Sequence, residues 1–302
     1  MQLEKNEGNL FNYNINSLRQ RKMAEIAELK RVASQVRRDI VRMVNAAGNG
    51  HPGGALGCAD LLVALYFKHM EHNTEFSMDA KNEDVFYLSN GHISAVFYST
   101  LARAGYFPVA ELATHRKIDS RLQGHPTPYE HLEGVRMASG SLGQGLSVAA
   151  GTALTKKLNG DDKMVYCLMG DGEQQEGQVW EAAMYAAHNK IDNLVGVIDY
   201  NNRQIDGDVS DVLSLIDIEA KYKAFGWETI VADGNDMEKL DAALTKAKEL
   251  SGNGKPIMII MKTEMGFPID FMVGTHKWHG VAPNAEQTEA ALSQLEETLG
   301  DF

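Results

Sequence analysis

Cysteine is scarce in this 302-residue sequence, which contains only Cys58 and Cys167. The two residues lie among apolar neighbours and show no CxxC or metal-ligand spacing. We therefore predict a pair of buried thiols in a reducing compartment, and neither is a good candidate for a nucleophile.

Long apolar runs are also missing. The longest, Leu61 to Phe67, is far too short to cross a bilayer, and the N-terminal segment MQLEKNEGNLFNYN lacks the apolar core of a signal peptide. These absences predict a cytoplasmic protein with no membrane partner.

Positive charge is in deficit, because 29 Lys and Arg residues stand against 41 Asp and Glu residues, for a formal net charge of −12. Nucleic acid and anionic lipid need clusters of Lys and Arg. We therefore predict no nucleic-acid partner, and an anionic small substrate would need a locally positive site.

Repeats, low-complexity tracts and Gly/Ser/Pro-rich linkers are absent too, so we predict one domain over residues 26–302, preceded by an N-terminal arm, residues 1–25. Apolar residues at three- and four-residue spacing predict an amphipathic helix from about Asn16 to Asn45. A second helix is predicted from Cys58 to Met70.

Short apolar runs alternate with helical patterns along the rest of the sequence. This alternation is typical of an α/β fold with three layers, in which helices cover both faces of a mostly parallel sheet. The predicted strands are Asp84–Leu88, Lys163–Met169, Leu194–Asp199, Glu228–Ala232 and Pro256–Met261. The predicted helices lie near Gly91–Ala104, Leu142–Lys157, Gln174–His188 and Met237–Leu250, and a last helix is capped by Asn284 with Gln287.

Two polar motifs follow neighbouring strands: MGDGE at residues 169–173, and IDYNN at residues 198–202. A right-handed helical crossover returns the chain to the same edge of a parallel sheet, so Asp171 and Asn201 are predicted to meet there. One carboxylate, one amide oxygen and a backbone carbonyl suit a Mg²⁺ that also holds two phosphate oxygens. The pair therefore predicts a diphosphate ligand.

The spacing of this G-D-G and Asn pair resembles the thiamine diphosphate motif, and the segment GDGEQQEGQVWEAAMYAAHNKIDNLVGVIDYNNRQIDG resembles transketolases closely. The resemblance implies the fold of a thiamine diphosphate-binding domain. It also implies that Asp171, Asn201 and the carbonyl of Arg203 bind Mg²⁺, for which Ca²⁺ or Mn²⁺ can substitute, and that Gly170 and Gly172 lie at the diphosphate. Either motif alone would be better explained as a plain turn, and a dinucleotide site is disfavoured because no G-x-G-x-x-G follows the first strand.

Four histidines lie in glycine-rich, loop-like contexts: His51, His92, His125 and His279. Each alone could be a solvated loop histidine, but all four stand where transketolases have active-site histidines. Ketol transfer breaks and makes a C–C bond beside hydroxyl groups, so protons must leave and return near neutral pH, as imidazoles allow. By the resemblance, His92 and His279 are cofactor contacts as well.

The segment Ser139–Gly145 resembles the family's GPLGQG loop, with Ser141 in place of the usual proline. The resemblance implies that the backbone of Gly140 meets the aminopyrimidine ring and that Leu142 packs on the cofactor. Without the neighbouring motifs, a helix N-terminus with close packing would explain the loop equally well.

Two further residues are candidates. By the resemblance, Glu176 is a catalytic and cofactor-linked acid at the subunit interface, although a solvent-facing carboxylate in the first turn of a helix is the alternative. Lys262 follows the last predicted strand and is a candidate for the diphosphate, although a lysine at a strand end is usually just solvated.

The similarity to transketolases spans about Arg31 to the C-terminus and does not include the pyrimidine-binding and third domains of the single-chain members. The glutamate that activates the cofactor and the main sugar-phosphate contacts belong to those domains. We therefore expect a split transketolase that works in an α₂β₂ complex with a separate C-terminal subunit, although a fragment of a longer chain would look the same.

The expected reaction transfers a two-carbon ketol unit from a ketose phosphate to an aldose phosphate, with sugars that the sequence does not identify. The alternatives are another thiamine diphosphate enzyme, of the deoxyxylulose-phosphate synthase or 2-oxo acid dehydrogenase type, and a non-catalytic cofactor-binding module. The motifs GHPG, SNGH and WHG together favour transketolase, and a pure binding module has no use for proton carriers.

Overall fold

The computed structural model describes residues 26–302. The predicted arm, residues 1–25, lies outside the described residues, and so does the predicted start of the first helix at Asn16. The described part of that helix, α1, runs over Ile26–Ala47 and buries an apolar stripe that includes Leu29, Val36 and Ile40. The predicted amphipathic helix is therefore confirmed from Ile26 onward.

Five parallel strands form the central sheet; across the sheet they are β1 Val85–Leu88, β2 Val165–Gly170, β3 Leu194–Tyr200, β7 Ile257–Lys262 and β6 Glu228–Asp233. Each predicted strand is confirmed to within two residues at either end. The register places Gly170 beside Asp199, and Tyr200 beside Lys262, so the polar strand ends share one edge of the sheet. A two-stranded hairpin, formed by β4 Arg203–Gln204 and β5 Gly207–Asp208, follows β3.

Helices cover both faces of the sheet, because successive strand residues point to opposite sides. On β1, Phe86 and Leu88 join one apolar cluster, whereas Val85 and Tyr87 join the other. Helices that pack in the first cluster are α1, α2 Pro52–Gly57, α3 Ala59–Ala64, α4 Ser94–Arg103, α9 Met237–Leu250 and α10 Ala285–Ser293. Helices that pack in the second cluster are α5 Gln144–Leu158, α6 Gly177–His188, the short α7 Val209–Leu213 and α8 Ile218–Ala224. The predicted three-layer α/β/α fold is confirmed.

Four predicted helices have different bounds in the structure. The one predicted near Gly91–Ala104 begins as α4 at Ser94, after a 3₁₀ turn over Gly91–Ile93. The one predicted over Cys58–Met70 is divided into α3 and a π-helical turn, Leu65–His69. The one predicted from Leu142 begins at Gln144, because Gly143 adopts a left-handed conformation with φ +84°. The one predicted from Gln174 begins at Gly177, because Glu176 is extended after a 3₁₀ turn, Gly172–Gln175.

Two smaller predictions are confirmed. Cys58 and Cys167 are buried free thiols, and burial raises the pKa of both. Asn284 caps α10 in a reciprocal box with Gln287. Within residues 26–302, no helix has both the length and the apolar character needed to cross a bilayer.

Candidate active site

A cavity of about 490 Å³ lies at the C-terminal edge of the sheet, where β2 and β3 end. Ligands of open α/β sheets commonly bind in a crevice at this edge. Of the predicted site residues, all but Lys262 line the cavity: His51, His92, His125, Gly140, Leu142, Gly170, Asp171, Gly172, Glu176, Asn201, Arg203 and His279.

The carboxylate of Asp171 is fixed by two backbone donors. Its Oδ1 accepts a hydrogen bond from Gly172 N at 2.7 Å, and its Oδ2 accepts one from Asn202 N at 2.5 Å. Because Asn202 follows β3, the second bond joins the ends of β2 and β3. Asp171 and Asn201 are thus brought to the same corner of the cavity, as the strand-helix-strand pattern predicted.

A second buried acid, Asp199, lies in this corner and was not among the predicted site residues. It accepts hydrogen bonds from Asn201 Nδ2 at 2.9 Å and from the Thr263 hydroxyl. Burial, and then the neighbouring Asp199, raises the pKa of Asp171 to about 7, and burial also raises the pKa of Asp199. The corner is therefore deficient in positive charge.

Asn201 presents one face to this acid and the other to the hairpin. Its Oδ1 accepts a hydrogen bond from Arg203 N at 2.8 Å, and the Arg203 side chain pairs with Asp208. Within residues 26–302, no group of three or more His, Cys, Asp or Glu side chains is arranged to hold a metal ion. The predicted set is of another kind, because it combines one carboxylate with an amide oxygen and a carbonyl.

The four predicted histidines come from four separate segments and form one cluster. The ring centroid of His51 lies 5.0 Å from that of His92, 5.9 Å from that of His279 and 6.5 Å from that of His125. The rings of His92 and His279 are stacked at 5.1 Å. Such a cluster can present several imidazoles to one bound molecule.

The histidine cluster is electrically neutral near pH 7. Burial lowers the pKa of His92, His125 and His279, and it lowers the pKa of His51 to about 4. The Nδ1 atoms of His51 and His279 are buried and without a hydrogen-bond partner in the described residues. The hydrogen-bonding capacity of these two nitrogens is therefore not met by the described residues.

The loop that precedes α5 packs tightly against the histidines. Gly140 has φ +141°, and a Cβ there would lie 3.2 Å from the His125 ring, so glycine is needed both for the turn and for the close approach. Leu142 lies on the cavity wall beside it, and its carbonyl accepts a hydrogen bond from Gln178 Nε2 at 3.0 Å. The loop is thus held between the histidine cluster and the segment that begins α6.

Glu173 organises this side of the cavity, and the sequence patterns did not predict its role. Its carboxylate is 2% exposed and accepts hydrogen bonds from Gly143 N at 2.7 Å, from Gly170 N at 3.0 Å and from the Ser89 hydroxyl. Ser89 Oγ in turn accepts one from Gly145 N at 3.0 Å. One side chain therefore joins three loops, whereas the sequence offered only an acid beside the G-D-G motif.

The remaining two candidates lie in different places. Glu176 is exposed, lines the cavity and stands against the loop before α5, because a Cβ on Gly143 would lie 2.9 Å from that of Glu176. Lys262 ends β7 with an exposed side chain and is not part of the cavity wall. The structure brings Glu176 to the site but not Lys262.

Residues 28–299 match the family model described as "Transketolase, thiamine diphosphate binding domain". The chain belongs to the transketolase family. It is 36% identical to one of the subunits of the apulose-4-phosphate transketolase of Actinobacillus succinogenes over 271 residues, which are 89% of this chain and 96% of that protein.

Single-chain transketolases match over the same region. The chain is 39% identical to the transketolase of Mus musculus over 275 residues, which are 90% of this chain and 42% of that protein. It superposes on the transketolase of Campylobacter jejuni with a TM-score of 0.84 and 35% identity, covering 90% of this chain and 43% of that one. The transketolase-family chain thus spans less than half the length of these two relatives and nearly the whole length of the Actinobacillus protein.

Proposed function

We propose that this transketolase-family chain binds thiamine diphosphate with Mg²⁺ and, together with a partner subunit, transfers a ketol unit from a ketose phosphate to an aldose phosphate. The observation that carries the proposal is the single cavity in which Asp171 and Asn201 meet four clustered histidines. The domain involved is proposed to span residues 26–302.

The residues of the metal corner fit a divalent cation. Asp171 and Asp199 are both buried, and among the described residues neither has a Lys or Arg within ion-pair distance. A buried carboxylate is costly unless a positive charge or a metal compensates it. We propose that Asp171, Asn201 and the Arg203 carbonyl hold Mg²⁺, with Gly170 and Gly172 at the diphosphate.

When bound, thiamine diphosphate supplies the electron sink that lets a C–C bond beside a carbonyl be broken. The protein's own contribution is to place groups around it. Gly140 and Leu142 are proposed to contact the cofactor rings. His51, His92, His125 and His279 are proposed to take up and return protons, because they are neutral at physiological pH and two of them have unpartnered nitrogens. Glu176 is proposed to act at the boundary with the partner.

A separate partner is supported by the Actinobacillus relative, which is itself named as one of the subunits of a transketolase and whose length this chain nearly matches. We propose that the partner has the pyrimidine-binding domain and that the complex is α₂β₂. Helix α6 exposes 57% of Met184 and 50% of Tyr185, apolar area that an interface would cover. We also propose a cytoplasmic location, which the two reduced, buried thiols favour.

The test is reconstitution. The purified chain alone should show no ketol transfer, whereas a mixture with the partner should transfer it when Mg²⁺ and thiamine diphosphate are present. A panel of ketose and aldose phosphates, including pentose phosphates and branched sugars, should identify the substrates. Ketol transfer by the isolated chain at an enzyme-like rate, or none by the complex with any donor, would contradict the proposal.

A further inference from the structure

Arg116 has two unfavourable features for a residue outside the cavity wall. Its backbone lies in the left-handed region with φ +59°, which is uncommon for a residue that has a side chain. Among the described residues, no carboxylate lies within ion-pair distance of its guanidinium, and its Nε is buried without a hydrogen-bond partner. Local strain of this kind persists where the surrounding structure imposes it, and it often marks a functional position.

The guanidinium of Arg116 joins two loops. Its Nη1 donates a hydrogen bond to Asn49 Oδ1 at 2.7 Å, and its Nη2 donates one to the Gly124 carbonyl at 3.3 Å. A Cβ on Gly124 would lie 2.8 Å from Arg116 Cζ, and one on Gly50 would lie 3.7 Å from Nε. The guanidinium therefore stands between Asn49–Gly50 on one side and Gly124 on the other.

Both contact points immediately precede a cavity histidine. Asn49 and Gly50 lead into His51, and Gly124 leads into His125. We propose that Arg116 is a positioning residue, whose guanidinium fixes the His51 loop (residues 49–51) relative to the His125 loop (residues 124–125) and so sets the separation of the two imidazoles. The inference rests on the proposed function for its catalytic consequence, but not for its geometry.

The unpaired charge has a second effect on the same two histidines. Around His51 stand the rings of His92, His125 and His279, together with Arg116, and around His125 stand His51 and Arg116. Burial is the largest cause of the lowered pKa of both imidazoles; Arg116 is the next cause for His125, and for His51 it follows His279. The same side chain thus holds the two rings in place and disfavours their protonated forms.

The direct test is histidine NMR on the full chain, with Arg116→Met and Arg116→Lys compared with wild type. Arg116→Met should change the imidazole shifts of His51 and His125 and raise their pKa, with smaller changes at His279. Arg116→Lys keeps the charge but loses the planar guanidinium that bonds to both loops. The imidazole shifts of His51 and His125 should therefore change while the pKa of both stays low. Arg121→Met is the matched control, because that guanidinium pairs with Glu111 and Glu133.

Kinetics of the reconstituted complex provide the second measurement. A displaced pair of imidazoles should lower kcat by roughly 10²-fold while KM changes little, since misplacement of reacting groups acts on turnover. A higher KM with unchanged kcat would mean that Arg116 binds substrate directly, and it would overturn the positioning role. Unchanged His51 and His125 signals in Arg116→Met would overturn it as well.

Two outcomes are kept separate by this design. If the wild-type complex transfers no ketol unit, the proposed function fails while the NMR measurement still decides the positioning role. If Arg116→Met does not fold, Asn49→Ala replaces it, because that change detaches the guanidinium from the His51 loop alone. The His51 signal should then move and the His125 signal should stay, and movement of neither would overturn the inference.

Discussion

The cavity has two walls that respond to burial in opposite ways. The acidic wall, formed by Asp171, Asp199 and Glu173, has carboxyl groups whose pKa burial raises. The histidine wall, formed by the four clustered imidazoles, has groups whose pKa burial lowers. Burial favours the uncharged form in both cases, but the consequences differ.

A neutral imidazole is ready to accept or donate a proton without any added group. A buried carboxylate in its ionised form, in contrast, needs a compensating cation, and the acidic wall has none in residues 26–302 within ion-pair distance of Asp171 or Asp199. The histidine wall therefore needs no counter-ion, whereas the acidic wall is suited to a metal. Substitutions in the two walls should have separable effects.

The largest expected effect is on the acidic wall. Asp171→Ala removes the proposed charged ligand, and we expect Mg²⁺-dependent affinity for thiamine diphosphate in the assembled enzyme to fall by at least roughly 10²-fold, since even indirect supports of a metal can matter 10- to 100-fold. Isothermal titration calorimetry measures this, with Asp211→Ala, an exposed acid on α7, as the control. Unchanged affinity would remove Asp171 from the metal site.

The histidine wall should separate binding from turnover. His92→Ala or His279→Ala is expected to lower kcat by roughly 10²–10⁴-fold if the residue transfers protons in the slow step. Cofactor affinity should stay near the wild-type value, and His131→Asn, a substitution at an exposed residue away from the cavity and from α6, should change neither. A variant with wild-type turnover would assign that histidine to the structure alone.

The pH dependence of stability should distinguish the walls without any assay of activity. Because the pKa of Asp171 is about 7 in the folded chain and near 3.8 unfolded, its protonated form stabilises the metal-free chain below pH 4, and this stability is lost as the pH rises through 7. We expect the urea unfolding free energy of the metal-free chain to fall as the pH rises from about 4 to about 7 and to level off above that, and Mg²⁺ with thiamine diphosphate to reverse the loss. The same loss in Asp171→Ala would contradict this origin.

The smallest effect concerns a histidine outside both walls. Burial, and then Arg116, lowers the pKa of His115 to about 4, and both its ring nitrogens are buried without partners among the described residues. A lowered pKa gives stability that is present above pH 6.5 and lost as the pH falls toward 4. His115→Phe should reduce this acid-side loss in urea unfolding, with turnover unchanged. An unaltered pH profile would exclude His115 as a contributor.

The fold followed from the sequence because its signals are local. The strand at Leu194–Tyr200 and the helix at Met237–Leu250 have apolar patterns and end signals that need no distant partner. Helix bounds were predicted wrongly where a distant contact or a backbone conformation decides where the helix begins. Gly143 ends the loop two residues later than the apolar pattern indicated, because its left-handed conformation, unlike hydrophobicity, leaves no periodic signal.

The site was foreseeable where a motif marks a strand end, as at Asp171 and Asn201. Glu173 and Asp199 were missed because their roles depend on partners far along the chain: Ser89 and Gly143 for the first, and Thr263 for the second. Lys262 was wrongly predicted as a site residue from its position alone, because a residue at the correct strand end can still point to solvent. Which side chain enters a cavity is decided by tertiary packing.

The carboxylate of Glu173 also couples the local opening of the three loops that it joins. Three peptide N–H groups, those of Gly143, Gly145 and Gly170, depend on it directly or through Ser89. If any one of the three loops opens, the carboxylate loses donor contacts that hold it for the other two, so their opening is cooperative. These three amides lie in two of the three loops, and their protons should therefore exchange with solvent deuterium at a common rate, as one cooperative unit.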